Sequence, residues 1–145
     1  MTAVDWTKLN GDWYNELGSK MSLTADDTGS LSGTYHSNVG GVPQDYPLSG
    51  RFDPSQLWVT VRVGISLGWT VTYIYDDLKD EDDEEDDVHK HSTATWSGLF
   101  FDDNGANPAR IITQWLLTSS TEEADIWEST SVGNDTFTNT APQLR

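Results

Sequence analysis

A chain of 145 residues with 24 acids against eight Lys and Arg has a formal net charge of -16, which repels nucleic-acid phosphates and anionic lipid surfaces and sets both aside as partners. Its length suits a single domain, 1–145, burying about two thirds of the surface the unfolded chain exposes. There is no Cys to form a disulfide, no apolar run long enough to span a bilayer as a helix, and no basic-then-apolar order in Met1 to Asn10 of the kind a signal peptide shows.

Period-two patterns broken by turn signals run along almost the whole chain, the mark of an all-β barrel or sandwich. In chain order the predicted strands are Gly11 to Leu17, Ser19 to Ala25, Leu31 to Ser37, Tyr46 to Phe52, Leu57 to Tyr75, His91 to Phe101, Ile111 to Thr118 and Ser129 to Thr138. Turns are expected at Asp27-Thr-Gly29, Gly40-Gly41-Val-Pro43 and Asp103-Asn-Gly105, where Gly and Asn supply positive φ and Pro removes a ladder donor. Thr121 to Trp127 reads as a short helical turn, since Thr-Glu-Glu-Ala-Asp opens like a capped first turn. Eight short strands joined this way predict an antiparallel up-and-down β-barrel.

Between the fifth and sixth strands, Asp76 to Asp87 concentrates ten of the 24 acids with one Lys. Like charges repel and only Leu78 is apolar, so a disordered, solvated loop is expected. Calcium binding fits less well, because the glycine and ligand spacing of an EF-hand loop are missing. The pair His89 and His91 lacks a third ligand, and no metal is assigned.

The chain is only 35% hydrophobic yet holds seven Trp, five Tyr and four Phe, so rings carry most of the buried area. Alternation puts Trp13 with Asn15, Tyr35 with Ser37, Trp69 with Val71 and Tyr73, Ser92 with Ala94 and Trp96, Trp115 with Leu117, and Asp135 with Phe137. One face therefore carries both rings and polar groups. Leaving such polar groups unpaired inside a barrel costs about 1–3 kcal/mol each, more for a charge. Eight strands enclose room for side chains or for one small ligand, and a polar, aromatic lumen favours the ligand.

The segments Gly11-Asp-Trp13-Tyr-Asn15-Glu-Leu-Gly-Ser19, Thr113-Gln-Trp-Leu-Leu-Thr-Ser and Gly133-Asn-Asp135-Thr-Phe, in this order, resemble the avidin and streptavidin family of biotin-binding proteins. The resemblance covers roughly Gly11 to Thr140, apart from the weakly matching Gln56 to Ile65 and the acidic run. It implies a ureido oxygen held by Asn15, Ser19 and Tyr35, and ureido nitrogens met by the Ser37 hydroxyl and the Asp135 carboxylate. Trp96, Trp115 and Leu117 would flank the bicyclic ring, with Trp69, Tyr73 and Ala94 completing the lining. The tail carboxylate would meet Ser92 and a backbone N–H of Asn38-Val39-Gly40-Gly41. Trp127 would enter the site of a neighbouring subunit, which implies a homo-oligomer, most simply a tetramer. Secretion is implied in the same way.

Three positions depart from the family pattern: Tyr73 replaces a wall Trp, Ala94 a Thr beside the ligand's sulfur, and Ser131 a Leu near a subunit interface. An independent sign of assembly is Ile111-Ile112 with Leu116-Leu117, where both faces of one strand are apolar. Trp6, Trp58 and Trp69 also have a plain reading as barrel-end or interface packing. Two other functions stand beside biotin binding. Gly11-Asp-Trp13 matches the Gly-x-Trp start of lipocalins, which carry apolar molecules in a similar barrel, but the polar cluster and the short C-terminal stretch argue against them. A hydrolase using Asp135 and a Ser would need a base, and none of His36, His89 and His91 shares its face. No cofactor and no catalytic residue is expected.

Overall fold

The computed structural model describes residues 3–37, 44–55, 61–73 and 91–143. Its strands are β1 (Gly11–Tyr14), β2 (Lys20–Ala25), β3 (Ser30–His36), β4 (Asp45–Phe52), β5 (Ile65–Tyr73), β6 (Ser92–Phe101), β7 (Arg110–Ser119) and β8 (Thr130–Thr138). Each pairs antiparallel with the next and β8 returns to β1, closing the barrel that the period-two pattern predicts. The asymmetry between strands is large. β6 and β7 run in register from Ser92↔Ser119 to Phe101↔Arg110, whereas β1 and β8 meet only at Tyr14↔Thr138.

Strand ends differ from the sequence expectation for local reasons. β1 stops at Tyr14, not Leu17, because the chain turns inward there: the Asn15 N–H donates to the Ser19 carbonyl at 3.1 Å and the Gly18 N–H to the Asn15 carbonyl at 3.1 Å. Gly18 sits at φ 85°, a conformation that suits glycine. β5 begins at Ile65, well after Leu57. Among its expected earlier residues, Arg62 instead leaves the sheet to bind the Asp102 carbonyl at 2.9 Å and its carboxylate at 2.6 Å. Residues 56–60 and 74–90, with the whole acidic run, lie outside the described residues.

Two 3-10 stretches flank the strands. Trp6–Leu9 lies outside the elements expected from the sequence, although Asp5 two residues before Thr7 is its signal: the Asp5 carboxylate accepts from the Thr7 N–H at 3.0 Å and caps the turn. The short helical turn expected over Thr121 to Trp127 appears as a 3-10 stretch at Glu123–Glu128, without the expected side-chain cap and with a break at Asp125.

One end of the barrel is solid. Leu9, Trp13, Met21, Phe100, Ile111 and Phe137 are completely buried, and the Trp13 indole donates to the Leu9 carbonyl at 2.9 Å while its ring meets Phe100 edge-on at 5.8 Å. This floor joins the first 3-10 stretch to β1 and β6. Trp13→Ala is therefore expected to lower unfolding stability by about 3–5 kcal/mol in urea titrations; a loss below about 1 kcal/mol would show that the floor does not depend on this ring.

Candidate functional site

At the other end the barrel stays open, enclosing a cavity of about 340 Å3. Eleven of the residues singled out from the sequence line it: Asn15, Ser19, Tyr35, Ser37, Tyr73, Ser92, Ala94, Trp96, Trp115, Leu117 and Asp135. Leu17 and Ser119 line it as well. Alternation along β7 from Leu117 points to Ser119, whereas Leu17 lies in the turn beyond the end of β1, where no period applies.

The other six expected residues stand elsewhere or out of view. Trp69 is 1% exposed and lies behind the cavity wall, stacked on Trp96 at 5.6 Å and edge-on to Phe137. Its indole N–H finds no acceptor among the described residues, so its part is to back Trp96 by packing. Trp127 is 79% exposed on the Glu123–Glu128 stretch, outside its own cavity. Of the loop Asn38-Val39-Gly40-Gly41, nothing falls within the described residues.

Donors and acceptors are sorted by local hydrogen bonds. The Asn15 Oδ1 accepts from the Leu17 N–H at 3.1 Å and the Ser19 N–H at 2.9 Å, which consumes the carbonyl end and leaves the side-chain amide nitrogen as a donor. That amide also reaches the Asp135 carboxylate. Tyr35, 3% exposed, has its phenol pushed above the ordinary value of 10 by burial and by the Asp135 charge, with a Ser19 hydrogen bond working the other way. It therefore remains a protonated donor at any physiological pH.

Asp135 is the buried acceptor. The Trp96 indole donates to its Oδ2 at 3.0 Å, and Asn15 and Trp115 add side-chain hydrogen bonds. Burial raises its pKa above 3.8, and the Glu16 charge adds to this, while the three donors hold the rise in check. Rings wall the space between. Tyr35 lies 5.1 Å from Trp96, and Tyr73 meets Tyr46 edge-on at 4.9 Å. Trp115 lies across Gly133, where an added Cβ would come within 2.1 Å of the indole. Glycine at that β8 position is what gives the ring its place.

The cavity thus brings the Asn15 amide and the Tyr35 phenol, both donors, together with the Asp135 carboxylate, an acceptor, among aromatic walls. Among the described residues no His lines the cavity; His36 faces outward and pairs with Asp45 at 3.0 Å. This arrangement differs from the apolar lumen of a lipocalin-like carrier.

The chain matches the Avidin family over residues 3–140. It is 31% identical over 136 residues to avidin of Gallus gallus, covering 90% of this chain and 76% of that protein. Avidin-related protein 2 of Gallus gallus is 28% identical over 132 residues, and avidin-related protein 4/5 is 29% identical over 133, each with the same two coverages. With the closed eight-stranded barrel, this match over nearly its whole length makes the chain a member of the avidin family.

Proposed function

We propose that this protein binds biotin non-covalently in the open half of its barrel and does no chemistry on it. The observation that carries this reading is the sorting of polar groups at the inner end of the cavity, with the Asn15 amide and Tyr35 phenol as donors and the Asp135 carboxylate as acceptor. A cyclic urea presents the complementary order: a carbonyl oxygen between two N–H groups. Trp96, Trp115 and Leu117 supply apolar walls for the fused rings, and Ser92 and Ser119 lie toward the mouth for the tail. Because these groups are fixed before the ligand arrives, little ordering entropy is lost on binding. Tyr73 and Ala94 give less wall than a Trp and a Thr, so binding is weaker than in members that carry those residues, yet still tight.

Assembly belongs to the same proposal. On the outside of β5 to β8 the rows that cross all four strands read Ser66-Leu99-Ile112-Thr136, Gly68-Ser97-Gln114-Asn134, Thr70-Thr95-Leu116-Val132 and Thr72-Thr93-Thr118-Thr130. None of these residues is charged, although 22% of the chain is; Arg110 enters only in the shorter edge row Phe101-Arg110-Thr138. Leu99, Ile112, Leu116 and Val132 stand 44 to 75% exposed within it. The opposite outside, over β1 to β4, carries the Asp12–Lys20 and His36–Asp45 pairs. An uncharged sheet with an apolar centre favours a second copy of the chain as its cover. The exposed Trp127 would then be shared with a neighbouring site in a homotetramer. Secretion and capture of biotinylated molecules complete the reading.

Calorimetric titration with biotin tests the proposal directly. Asp135→Ala removes a charge-assisted acceptor and should weaken binding by at least ~2 kcal/mol, roughly thirtyfold in Kd; wild-type affinity in that variant would mean the carboxylate does not touch the ligand. In the wild type the ionised carboxylate is the binding form, and its raised pKa means protonation sets in above the pH at which an ordinary aspartate titrates. Affinity for biotin amide, which has no titrating tail, should thus be level near neutrality and fall as pH drops through that pKa. Asp135→Asn should abolish this acid limb.

Gly133→Ala should displace the Trp115 indole at about 1–3 kcal/mol of overpacking and weaken biotin correspondingly, with the strand content unchanged in circular dichroism. For assembly, Leu116→Lys with Val132→Lys places two charges in the uncharged face. Light scattering should then report a single chain near 16.1 kDa in place of an oligomer, and an unchanged larger mass would place the interface elsewhere.

A further inference from the structure

Where β1 ends, the barrel is closed by very little backbone pairing, and the segment of β8 left unpaired on its β1 side is the one that carries Asp135. Beyond Tyr14↔Thr138, no β1 residue pairs with β8. Two side chains bridge the gap. Glu16 Oε1 accepts from the Thr136 N–H at 2.8 Å, and Asn139 Nδ2 donates to the Asp12 carbonyl at 3.1 Å. On the other side of the same peptide link, the hydroxyl of Thr113 donates to the Asp135 carbonyl at 2.9 Å. The peptide unit between Asp135 and Thr136 is thus gripped at both ends, its C=O by a β7 side chain and its N–H by a side chain from the β1–β2 loop.

We infer that Glu16 and Thr113 are positioning residues for Asp135, clamping the 135–136 peptide so that the carboxylate stays aligned with the Trp96 indole and the Asn15 amide. Neither fills the cavity: Glu16 is exposed at its rim and Thr113, 2% exposed, does not line it. A buried Thr keeps its hydroxyl only where a partner satisfies it, and here that partner is the Asp135 main chain. Glu16 follows Asn15 directly in the chain, so its bond to β8 also ties together the two segments whose side chains meet at the carboxylate. The Glu16 charge lies close enough to bear on Asp135, so the clamp has a geometric part, which Gln would keep, and an electrostatic part, which Gln would remove.

The effect on affinity rests on the biotin reading, whereas alignment is measurable without ligand. Hydrogen exchange of the Trp96 indole N–H, followed by 15N NMR, reports its bond to Asp135, and biotin dissociation reports the site. Glu16→Ala and Thr113→Val should each speed both about tenfold, the loss of one hydrogen bond at a charged site. Glu16→Gln and Thr113→Ser, which retain the bonding atoms, should restore exchange to within about twofold of wild type. Unchanged Trp96 exchange in Glu16→Ala, or no rescue by Gln, overturns the inference. If Thr113→Val does not fold, the exposed Glu16 pair of variants decides alone. If Trp96 exchange responds as expected but the wild type retains no biotin, the clamp stands and the ligand assignment falls.

Discussion

A carboxylate held inside a sheet barrel imposes conditions on everything around it. Asp135 is 8% exposed, and its charge is tolerated because three N–H donors converge on it from β6, β7 and the loop after β1. Those donors are two indoles and an amide, each needing its own fixed place. Trp96 is backed by Trp69, Trp115 rests against the bare backbone of Gly133, and Asn15 is pinned by two main-chain N–H groups. The solid floor under Trp13 holds the strands that carry them at fixed separation. Much of the barrel can thus be read as support for one buried charge.

Most of this architecture was legible in the sequence because its code is short-range. Alternation in β6, with Ala94, Trp96 and Phe100 buried, and in β8, with Asp135 and Phe137 buried, assigns inward and outward faces without any tertiary knowledge. The eleven recovered cavity residues follow from that period and the family resemblance together. Errors cluster where the period gives out. The β1 pattern runs on to Leu17, but the turn at Gly18 bends Asn15 out of the ladder, an outcome set by hydrogen bonds across four residues and not by hydrophobicity. Trp69 has the same parity as Trp96, yet sits behind it, because parity tells the side of the sheet and not the depth. The first 3-10 stretch was hidden by its brevity, as four residues are too few to show a helical period.

Inside and outside of the barrel obey different constraints, and the sequence divides them by strand. β1 to β4 mix charges into their outer faces, whereas on β5 to β8 the rows that cross all four strands hold only hydroxyl, amide, glycine and aliphatic groups, with Arg110 confined to the edge row beside Phe101. In a protein with net charge -16, that division leaves one side on which two copies could approach without opposing charges in the contact. The thin seam between β1 and β8 is a separate matter. It arises because the chain gives up strand pairing at the point where it delivers Asn15, so ladder hydrogen bonds are exchanged for side-chain bridges from Glu16 and Asn139.

The orientation of the Asn15 amide has a bearing beyond its own bonds. An amide turned end over end would present oxygen where nitrogen now stands, exchanging a donor for an acceptor in the cavity wall. What prevents the reversal is the path of the main chain between Leu17 and Ser19, whose two N–H groups can only face an oxygen. The polarity of this part of the wall is therefore written in a tight bend of backbone, and a change in that bend would invert it while every side chain lining the cavity stayed the same.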